Sequence, residues 1–137
     1  MQTSTLLKKA NRLLIKKANE LLKPYKITHA YTYFLMELYN QDGLTQAEMH
    51  KRIGIEQPTA VRTLDRMERD GFILRKPSSD DRRVVLIYLT EKAQHCKKEI
   101  DQCAVQLNEL ALLGFNEEEK INLNQMLKRL NQNLEKK

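Results

Sequence analysis

The feature that most constrains the fold is a pair of short helical patterns in the middle of the chain, separated by a tight turn. The first begins at Thr45, where a Thr-x-x-Glu capping box with Glu48 lets each side chain accept a hydrogen bond from the other residue's backbone N–H. Gly54 supplies the turn, and Pro58 suits the first turn of the next helix, where a missing N–H does no harm. Gly71 is the expected end of this second helix. Two helices spaced so closely predict a helix-turn-helix arrangement.

A β-hairpin is predicted directly after the second helix. Residues 72–76 and the six apolar residues 84–89 favour strands, and the Pro-Ser-Ser-Asp-Asp segment at 77–81 favours a turn. A hairpin with a basic rim that follows a helix-turn-helix is typical of a wing.

The N-terminal part of the chain is predicted to form two helices. Apolar residues recur at steps of three and four from Leu7 to Leu21, and Pro24 ends this helix because the residue before a proline is pushed away from helical geometry. Thr28 is the expected N-cap of a second helix that runs to about Asn40. With four glycines and three prolines in 137 residues, little of the chain remains for loops.

The C-terminal part is predicted to form long helices with apolar seams. A heptad pattern runs without a break from Ala93 to Leu110, and Gly114 interrupts it. Asn116 is the expected cap of a last helix, whose apolar positions continue from Leu123 to Leu134. These stripes expose more apolar surface than a lobe of about 50 residues can cover, so we expect a homodimer.

Together these patterns predict a mainly α fold with a small β-hairpin wing. Residues 28–90 are expected to form a winged helix-turn-helix region, flanked by helical dimerisation segments at 1–27 and 91–137.

Arginines are concentrated in the central segment of a basic chain. The net charge is +6, with 24 basic and 18 acidic side chains, but a basic balance alone is weak evidence for nucleic acid. Arginine favours bidentate recognition of phosphate and of guanine edges. The central arginines are Arg52, Arg62, Arg66, Arg69, Arg75, Arg82 and Arg83.

The polar face of the second helix carries the candidate contacts to DNA bases. We expect Arg62 to reach guanine edges in the major groove, Arg66 to hold the backbone, and the threonines to meet thymine methyls or phosphates. An ordinary solvated helix face, with Glu68 and Asp70 neutralising neighbouring arginines, remains the alternative. The candidate residues are Gln57, Pro58, Thr59, Arg62, Thr63 and Arg66.

The hairpin tip carries a second candidate contact in the segment Asp80-Asp81-Arg82-Arg83. Arg82 or Arg83 is predicted to enter a narrow minor groove, where the potential is most negative. Asp81 would then hold the neighbouring guanidinium in place. A merely polar hairpin tip is the alternative.

In these residues the chain resembles the MarR superfamily of winged-helix transcriptional regulators, and most closely its SlyA-like branch. The resemblance rests on the order and spacing of Gly54-Ile55-Glu56-Gln57-Pro58, Val61-Arg62-Thr63-Leu64-Asp65, Glu68, Gly71, Asp81-Arg82-Arg83 and Leu89-Thr90-Glu91-Lys92-Ala93. It implies a triangular homodimer with interleaved terminal helices on pseudo-palindromic double-stranded DNA, with repression as the commoner outcome. Position by position, Pro58 and Arg62 correspond to recognition-helix contacts, and Arg82 and Arg83 to wing contacts. Thr59 and Ala60 follow the proline here, which leaves the operator sequence open.

The resemblance also implies an effector, a small aromatic acid that binds between the dimer helices and the winged lobe. Tyr25, His29, Tyr31 and Tyr33 lie near that junction, but such residues at helical spacing are more often packing. Neither a cofactor nor a metal is expected. The two cysteines, Cys96 and Cys103, are predicted to be buried small hydrophobes, because about 10 Å of helix rise separates them and prevents a disulfide within one helix. An intersubunit pair stays open.

Three other classes of protein are weighed against this interpretation. An enzyme is disfavoured because the three histidines are scattered and the four glycines form no phosphate loop. No apolar run reaches the roughly 18–20 residues of a membrane span, and no signal peptide is recognised, so we expect a cytoplasmic protein. A helical interaction module whose winged lobe does not read DNA is the main alternative, although it would not need both Arg62 and the Arg82-Arg83 tip.

Overall fold

The computed structural model describes residues 1–136, so the last residue of the predicted 91–137 segment lies outside the described residues. Within these residues, seven α-helices and three short strands follow one another, with one turn of 3-10 helix at Lys23–Tyr25. The elements are α1 Thr3–Leu22, α2 His29–Asn40, β1 Leu44–Thr45, α3 Gln46–Ile53, α4 Gln57–Arg69, β2 Ile73–Pro77, β3 Val85–Leu89, α5 Glu91–His95, α6 Lys97–Ala111 and α7 Glu117–Glu135.

The helix-turn-helix has the predicted local chemistry. Thr45 Oγ1 accepts from the backbone N–H of Glu48 at 3.0 Å, and Thr45 N–H donates to Glu48 Oε1 at 3.1 Å, which completes the capping box. Gly54 ends α3 with φ +72°, a left-handed conformation that glycine adopts without a Cβ penalty. Pro58 is the second residue of α4, where its missing N–H leaves no helical hydrogen bond unmade.

The wing is part of a three-stranded antiparallel sheet with the order β1-β3-β2. The hairpin pairs Ile73 with Leu89 and Pro77 with Val85, within one residue of the predicted strands. Strand β1 was not predicted: it pairs Leu44 with Ile87 across β3, and two residues are too short to produce an alternating pattern. This third strand anchors the wing to the segment that precedes α3.

One continuous apolar core holds the helices and the sheet together. Its largest fully buried side chains come from α2, α3, α4, the turn after α4 and the sheet, and it also includes Leu22 from α1 and Ile100 and Cys103 from α6. The core therefore crosses both boundaries of the predicted 28–90 region, and that division stays a prediction about function. The fully buried set contains Phe34, Phe72, Leu35, Leu38, Leu44, Met49, Leu64, Met67, Ile73 and Ile87.

Two details of the predicted helical patterns are wrong. The apolar spacing of the second helix predicts an inner stripe of Val61, Leu64 and Met67, but the buried stripe of α4 uses Ala60 with Leu64 and Met67, and Val61 lies at its half-buried edge. The heptad seam is not one helix, because the helix is interrupted at Cys96, which separates α5 from α6. The predicted cap of α7 is confirmed, since Asn116 Oδ1 accepts from Glu119 N–H at 2.8 Å.

The last helix is unusual in having no buried residue along its length from Glu117 to Glu135. Most of the stability of a protein helix comes from packing of its apolar face, so α7 depends on contacts that one copy of the chain supplies only in part. None of the helices within residues 1–136 is long and apolar enough to cross a membrane.

A buried tyrosine ties α2 to the end of α4. Tyr31, 3% exposed, donates its phenolic hydrogen to Asp70 Oδ2 at 2.6 Å. Burial, followed by the hydrogen bond to the charged Asp70, raises the pKa of Tyr31 to about 12. Asp70 also accepts from Arg69 Nε at 3.1 Å, and both bonds lower the pKa of the Asp70 carboxyl.

We expect Tyr31→Phe to lower the free energy of unfolding by about 1–3 kcal/mol near neutral pH, because a hydrogen bond to a charged acceptor is lost. Neutral Tyr31 stabilises the fold fully below its unfolded pKa of about 10, and this contribution is lost as the pH rises through its folded pKa of about 12. The difference in the free energy of unfolding between wild type and Tyr31→Phe, measured by urea unfolding, should therefore narrow between about pH 10 and pH 12. Tyr88→Phe is the control, and a gap for Tyr31→Phe that stays constant would contradict the assignment.

Candidate nucleic-acid interface

The outward surface of α4 is formed by most of the residues expected there. Gln57, Pro58, Thr59, Arg62 and Arg66 are all exposed, while the opposite side of the helix packs on the core. The first half of the helix thus presents amide, hydroxyl and guanidinium groups together, which are the groups that pair with base edges and phosphates.

The prediction that Thr63 faces outward is wrong. Thr63 is 6% exposed, and its hydroxyl donates to the backbone carbonyl of Thr59 at 2.9 Å. A threonine can be buried in a helix in this way because its hydroxyl bonds to the carbonyl four residues earlier. Its hydroxyl is therefore engaged within the helix.

Arg75 on β2 clamps the wing to α4, a role that the sequence analysis missed. Its guanidinium Nη2 donates to Asp65 Oδ1 at 2.6 Å and to Glu68 Oε1 at 2.9 Å, and its backbone N–H donates to Glu68 Oε2 at 3.1 Å. The side-chain hydrogen bonds from Arg75 are the main cause of a lowered pKa of the Glu68 carboxyl, and the backbone hydrogen bond from Arg75 lowers it further. The alternation of side chains along a strand could have indicated this inward position, because Arg75 lies on the same strand face as the buried Ile73.

The acidic groups of α4, and of Asp70 directly after it, are thus paired within the protein. Asp65 and Glu68 pair with Arg75, and Asp70 pairs with Arg69, in part as the alternative interpretation expected. By contrast, the guanidinium groups of Arg62 and Arg66 make no hydrogen bond or ion pair with any residue in the described range 1–136. The outward face of α4 consequently carries two uncompensated guanidinium groups.

The tip of the hairpin holds one arginine in a fixed position. Arg83 donates through Nε to Asp81 Oδ1 at 3.2 Å and through Nη2 to Asp81 Oδ2 at 3.3 Å, while its backbone N–H donates to Asp81 Oδ1 at 3.0 Å. The same bonds lower the pKa of the Asp81 carboxyl. The Arg83 side chain is 91% exposed, so Asp81 orients a cation that points into solvent. Arg82 beside it is also exposed.

The aromatic residues near the junction of α1 and α2 divide into two groups. Tyr31 is buried in the core, as the packing interpretation expected. His29 and Tyr33 lie at the surface of α2, where His29 Nε2 and the Tyr33 hydroxyl are 2.9 Å apart and the rings meet edge to face. Tyr25, in the 3-10 turn, is exposed.

The two cysteines are unpaired within the chain and only partly match the expected burial. Cys103 is buried and its thiol donates to the Leu21 carbonyl at 3.4 Å, whereas Cys96 is half-buried at the break between α5 and α6. Burial raises the pKa of both thiols, which lowers their reactivity.

A broad apolar groove of about 740 Å³ runs between the terminal helices. Leu7 and Leu14 of α1, Leu110 of α6 and Leu123 and Leu127 of α7 are among its walls. Further apolar side chains on these helices and the following turn are exposed, including Leu13, Leu113, Phe115, Ile121, Met126 and Leu134.

Comparison with known proteins identifies the fold and the family. The MarR family model matches residues 27–85. The chain is 33% identical over 109 residues to the uncharacterized HTH-type transcriptional regulator YwoH of Bacillus subtilis (strain 168), covering 80% of this chain and 79% of that protein.

Solved structures give the same result over nearly the whole chain. The transcriptional regulator SlyA superposes with a TM-score of 0.87 at 25% identity, covering 98% of this chain and 94% of that one. A mutant MarR from E. coli, complexed with operator DNA, superposes with a TM-score of 0.84 at 26% identity, covering 93% and 91%. Because SlyA and MarR match almost equally well, the SlyA-like branch stays a prediction.

Family, fold and surface agree on the class of protein. The element order, the paired helices and the basic wing are those expected of a winged helix-turn-helix, and the relative that shares a third of its residues is a regulator of transcription. The chain therefore belongs to the MarR family and is a winged-helix transcriptional regulator, not an enzyme.

Proposed function

We propose that the protein is a homodimeric repressor that binds a pseudo-palindromic operator in double-stranded DNA. In this proposal α4 enters the major groove, the hairpin tip enters the adjacent minor groove, and a small aromatic effector releases the complex. Residues 28–90 read the DNA, and residues 1–27 and 91–137 hold the two copies together.

The observation that carries the proposal is the sorting of charge on α4. Arg75 and Arg69 neutralise the acidic residues, whereas Arg62 and Arg66 are left exposed on the outward face. Uncompensated cations along a helix that also presents Gln57 and Thr59 fit a surface that meets phosphates and base edges. A helical interaction module would gain nothing from this arrangement together with an oriented Arg83, so it is the weaker candidate.

Repression follows from occupancy of the operator. Two recognition helices in successive major grooves require half-site centres about 34 Å apart, near one turn of the DNA. A dimer held across such a site covers one face of the DNA, where it competes with other proteins. A footprint with a single asymmetric half-site would contradict this arrangement.

The dimer is supported by the apolar groove between the terminal helices. Helix α7 has no buried residue, and several leucines around it are exposed. A second copy of the chain would bury these apolar residues with the same surface of its own. The lengths of α1, α6 and α7 favour interleaving, since α7 and the exposed apolar residues of α1 and α6 can pack against the partner.

We expect Arg62→Ala to reduce discrimination between selected and random DNA by about 1–3 kcal/mol, because a bidentate contact to a base edge is lost. DNA fragments retained by the wild-type protein from a genomic library provide the selected sequence. Arg66→Ala should weaken binding to both DNAs and reduce the salt slope by about 1. Arg12→Ala on α1 is the control for loss of one positive charge. An equal loss on both DNAs for Arg62→Ala would contradict base recognition.

We expect Asp81→Asn to weaken binding to selected DNA several-fold, although it removes a negative charge near the phosphates. The reason is that Arg83 loses the carboxylate that holds its guanidinium in one orientation. Asp80→Asn, which removes the same charge from the neighbouring residue, should leave binding unchanged or tighten it slightly. Tighter binding by both variants in a fluorescence anisotropy titration would show that Asp81 only repels DNA.

We expect the wild-type chain to sediment as a dimer at micromolar concentration and Leu127→Asp to sediment as a monomer. A charge in the apolar groove opposes burial of the terminal helices, so helicity by circular dichroism and DNA affinity should fall together. Lys128→Asp changes the charge of the exposed neighbouring position and should remain dimeric. A monomeric wild-type protein would contradict the proposal.

A further inference from the structure

The positive charge of the chain is concentrated in its first 26 residues. This segment contains seven basic side chains and one acidic one, a net of +6 that equals the charge of the whole chain, whereas residues 27–137 contain seventeen of each. Residues 28–90, which the proposed function assigns to the operator, contain nine basic and nine acidic side chains. The excess charge therefore lies outside the part of the chain that reads the operator, and it needs a separate explanation.

Four of these cations follow one side of α1, which we call the basic face: Lys8, Lys9, Arg12 and Lys16. Lys8, Arg12 and Lys16 recur every four residues and Lys9 lies three residues before Arg12, so the four extend along about 12 Å of the helix. All four are exposed. Their side chains make no hydrogen bond or ion pair with any residue between positions 1 and 136. The basic face is thus a row of uncompensated positive charges.

The basic face is separate from the two sides of α1 that pack. Ala18 and Leu22 are buried where α1 contacts α2 and α6. Leu14 and Lys17 line the apolar groove of the terminal helices, and Lys17 is paired with Glu20 at 3.3 Å. A second copy of the chain that covers the groove would therefore leave the basic face in contact with solvent.

The chemistry of the basic face favours the phosphate backbone of duplex DNA as its partner. Three of its four cations are lysines, which act as point charges and carry no base preference of their own. Duplex DNA has one negative charge per about 1.7 Å of its axis, so about seven lie along a row of this length. Thr5 and Asn19, which continue this side of α1 at its ends, are polar, so the side offers neither a ring for an unpaired base nor an apolar anchor for a protein.

We propose that the basic face of α1 binds a second DNA duplex through its phosphates alone, while α4 and the hairpin hold the operator. The inference goes beyond the proposed function, which assigns no contact with DNA to residues 1–27. A dimer carries the face twice and would join its operator to another stretch of duplex. Loss of one of these cations, as in Arg12→Ala, should leave the choice of α4 between selected and random DNA unchanged.

The test asks whether protein held on its selected DNA captures a separate duplex. A short immobilised duplex with the selected sequence is loaded with the full chain and washed, and a fluorescent duplex of unrelated sequence is then added at about 50 mM salt. We expect the wild-type protein to capture the fluorescent duplex, and the capture to weaken steeply towards about 200 mM salt because counterions are released from neutralised phosphates. No capture at the lower salt concentration would overturn the inference.

Two triple variants separate the basic face from the general charge of the protein. Lys8→Gln, Lys9→Gln and Lys16→Gln together should reduce capture at least tenfold and lower its salt slope by about 2–3, because about three phosphates are no longer neutralised. The matched control removes the same charge from exposed lysines on α6, on α7 and after α7: Lys98→Gln, Lys128→Gln and Lys136→Gln. Capture should persist in the control, and an equal loss in both variants would overturn the location.

Two further measurements distinguish other occupants of the basic face. The variant without Lys8, Lys9 and Lys16 should sediment as the dimer that the wild-type protein forms, whereas a monomer would show that the partner copy covers this face and would overturn the inference. A longer selected duplex that binds the wild-type protein more tightly, without capture of a separate duplex, would show that the face holds DNA flanking the operator. This result would also overturn the inference.

A titration with random DNA keeps the inference distinct from base recognition by α4. A variant with Arg62→Ala and Arg66→Ala should lose discrimination, yet its remaining binding to random DNA should fall when Lys8, Lys9 and Lys16 are also replaced. Absence of discrimination in the wild-type protein would contradict the proposed function alone. Remaining binding that does not respond to the three lysines would overturn the inference alone.

Discussion

The contact on which the candidate surface depends is the clamp between Arg75 and the acidic side of α4. One guanidinium joins β2 to two carboxylates on the helix, at 2.6 and 2.9 Å, and thereby sets the angle between the helix and the hairpin. The same bonds remove the charges that would repel an anionic partner. The half-buried Arg75 side chain therefore both orients the hairpin against α4 and neutralises the acidic groups of the helix, although it does not face outward itself.

The helices of this fold are largely encoded by local signals. The capping boxes at Thr45 and Asn116, the left-handed glycine at Gly54 and the proline in the first turn of α4 fix where helices begin and end. Such signals act over three or four residues, so the printed sequence shows them directly. The hairpin strands are found within one residue for the same reason, because apolar runs and turn residues mark them.

What the sequence did not reveal depends on distant contacts. Strand β1 exists because Leu44 and Thr45 pair with β3, more than 40 residues away, and nothing in the two residues alone indicates it. Thr63 looked like a surface residue because its hydroxyl is polar, yet the helix satisfies that group internally. Likewise Arg75 could be separated from the outward-facing arginines only once its partners on α4 were seen.

The interruption at Cys96 has a mechanical consequence. It makes α6 an arm of 15 residues, about 22 Å long, whose direction is not imposed by a continuous helix from the wing. Turning such an arm by about 10° moves its far end by about 4 Å, close to the spacing of adjacent base pairs. Because the far end of α6 lies in the proposed dimer interface, such a bend would change the distance between the two DNA-binding regions of the dimer by about one base-pair step.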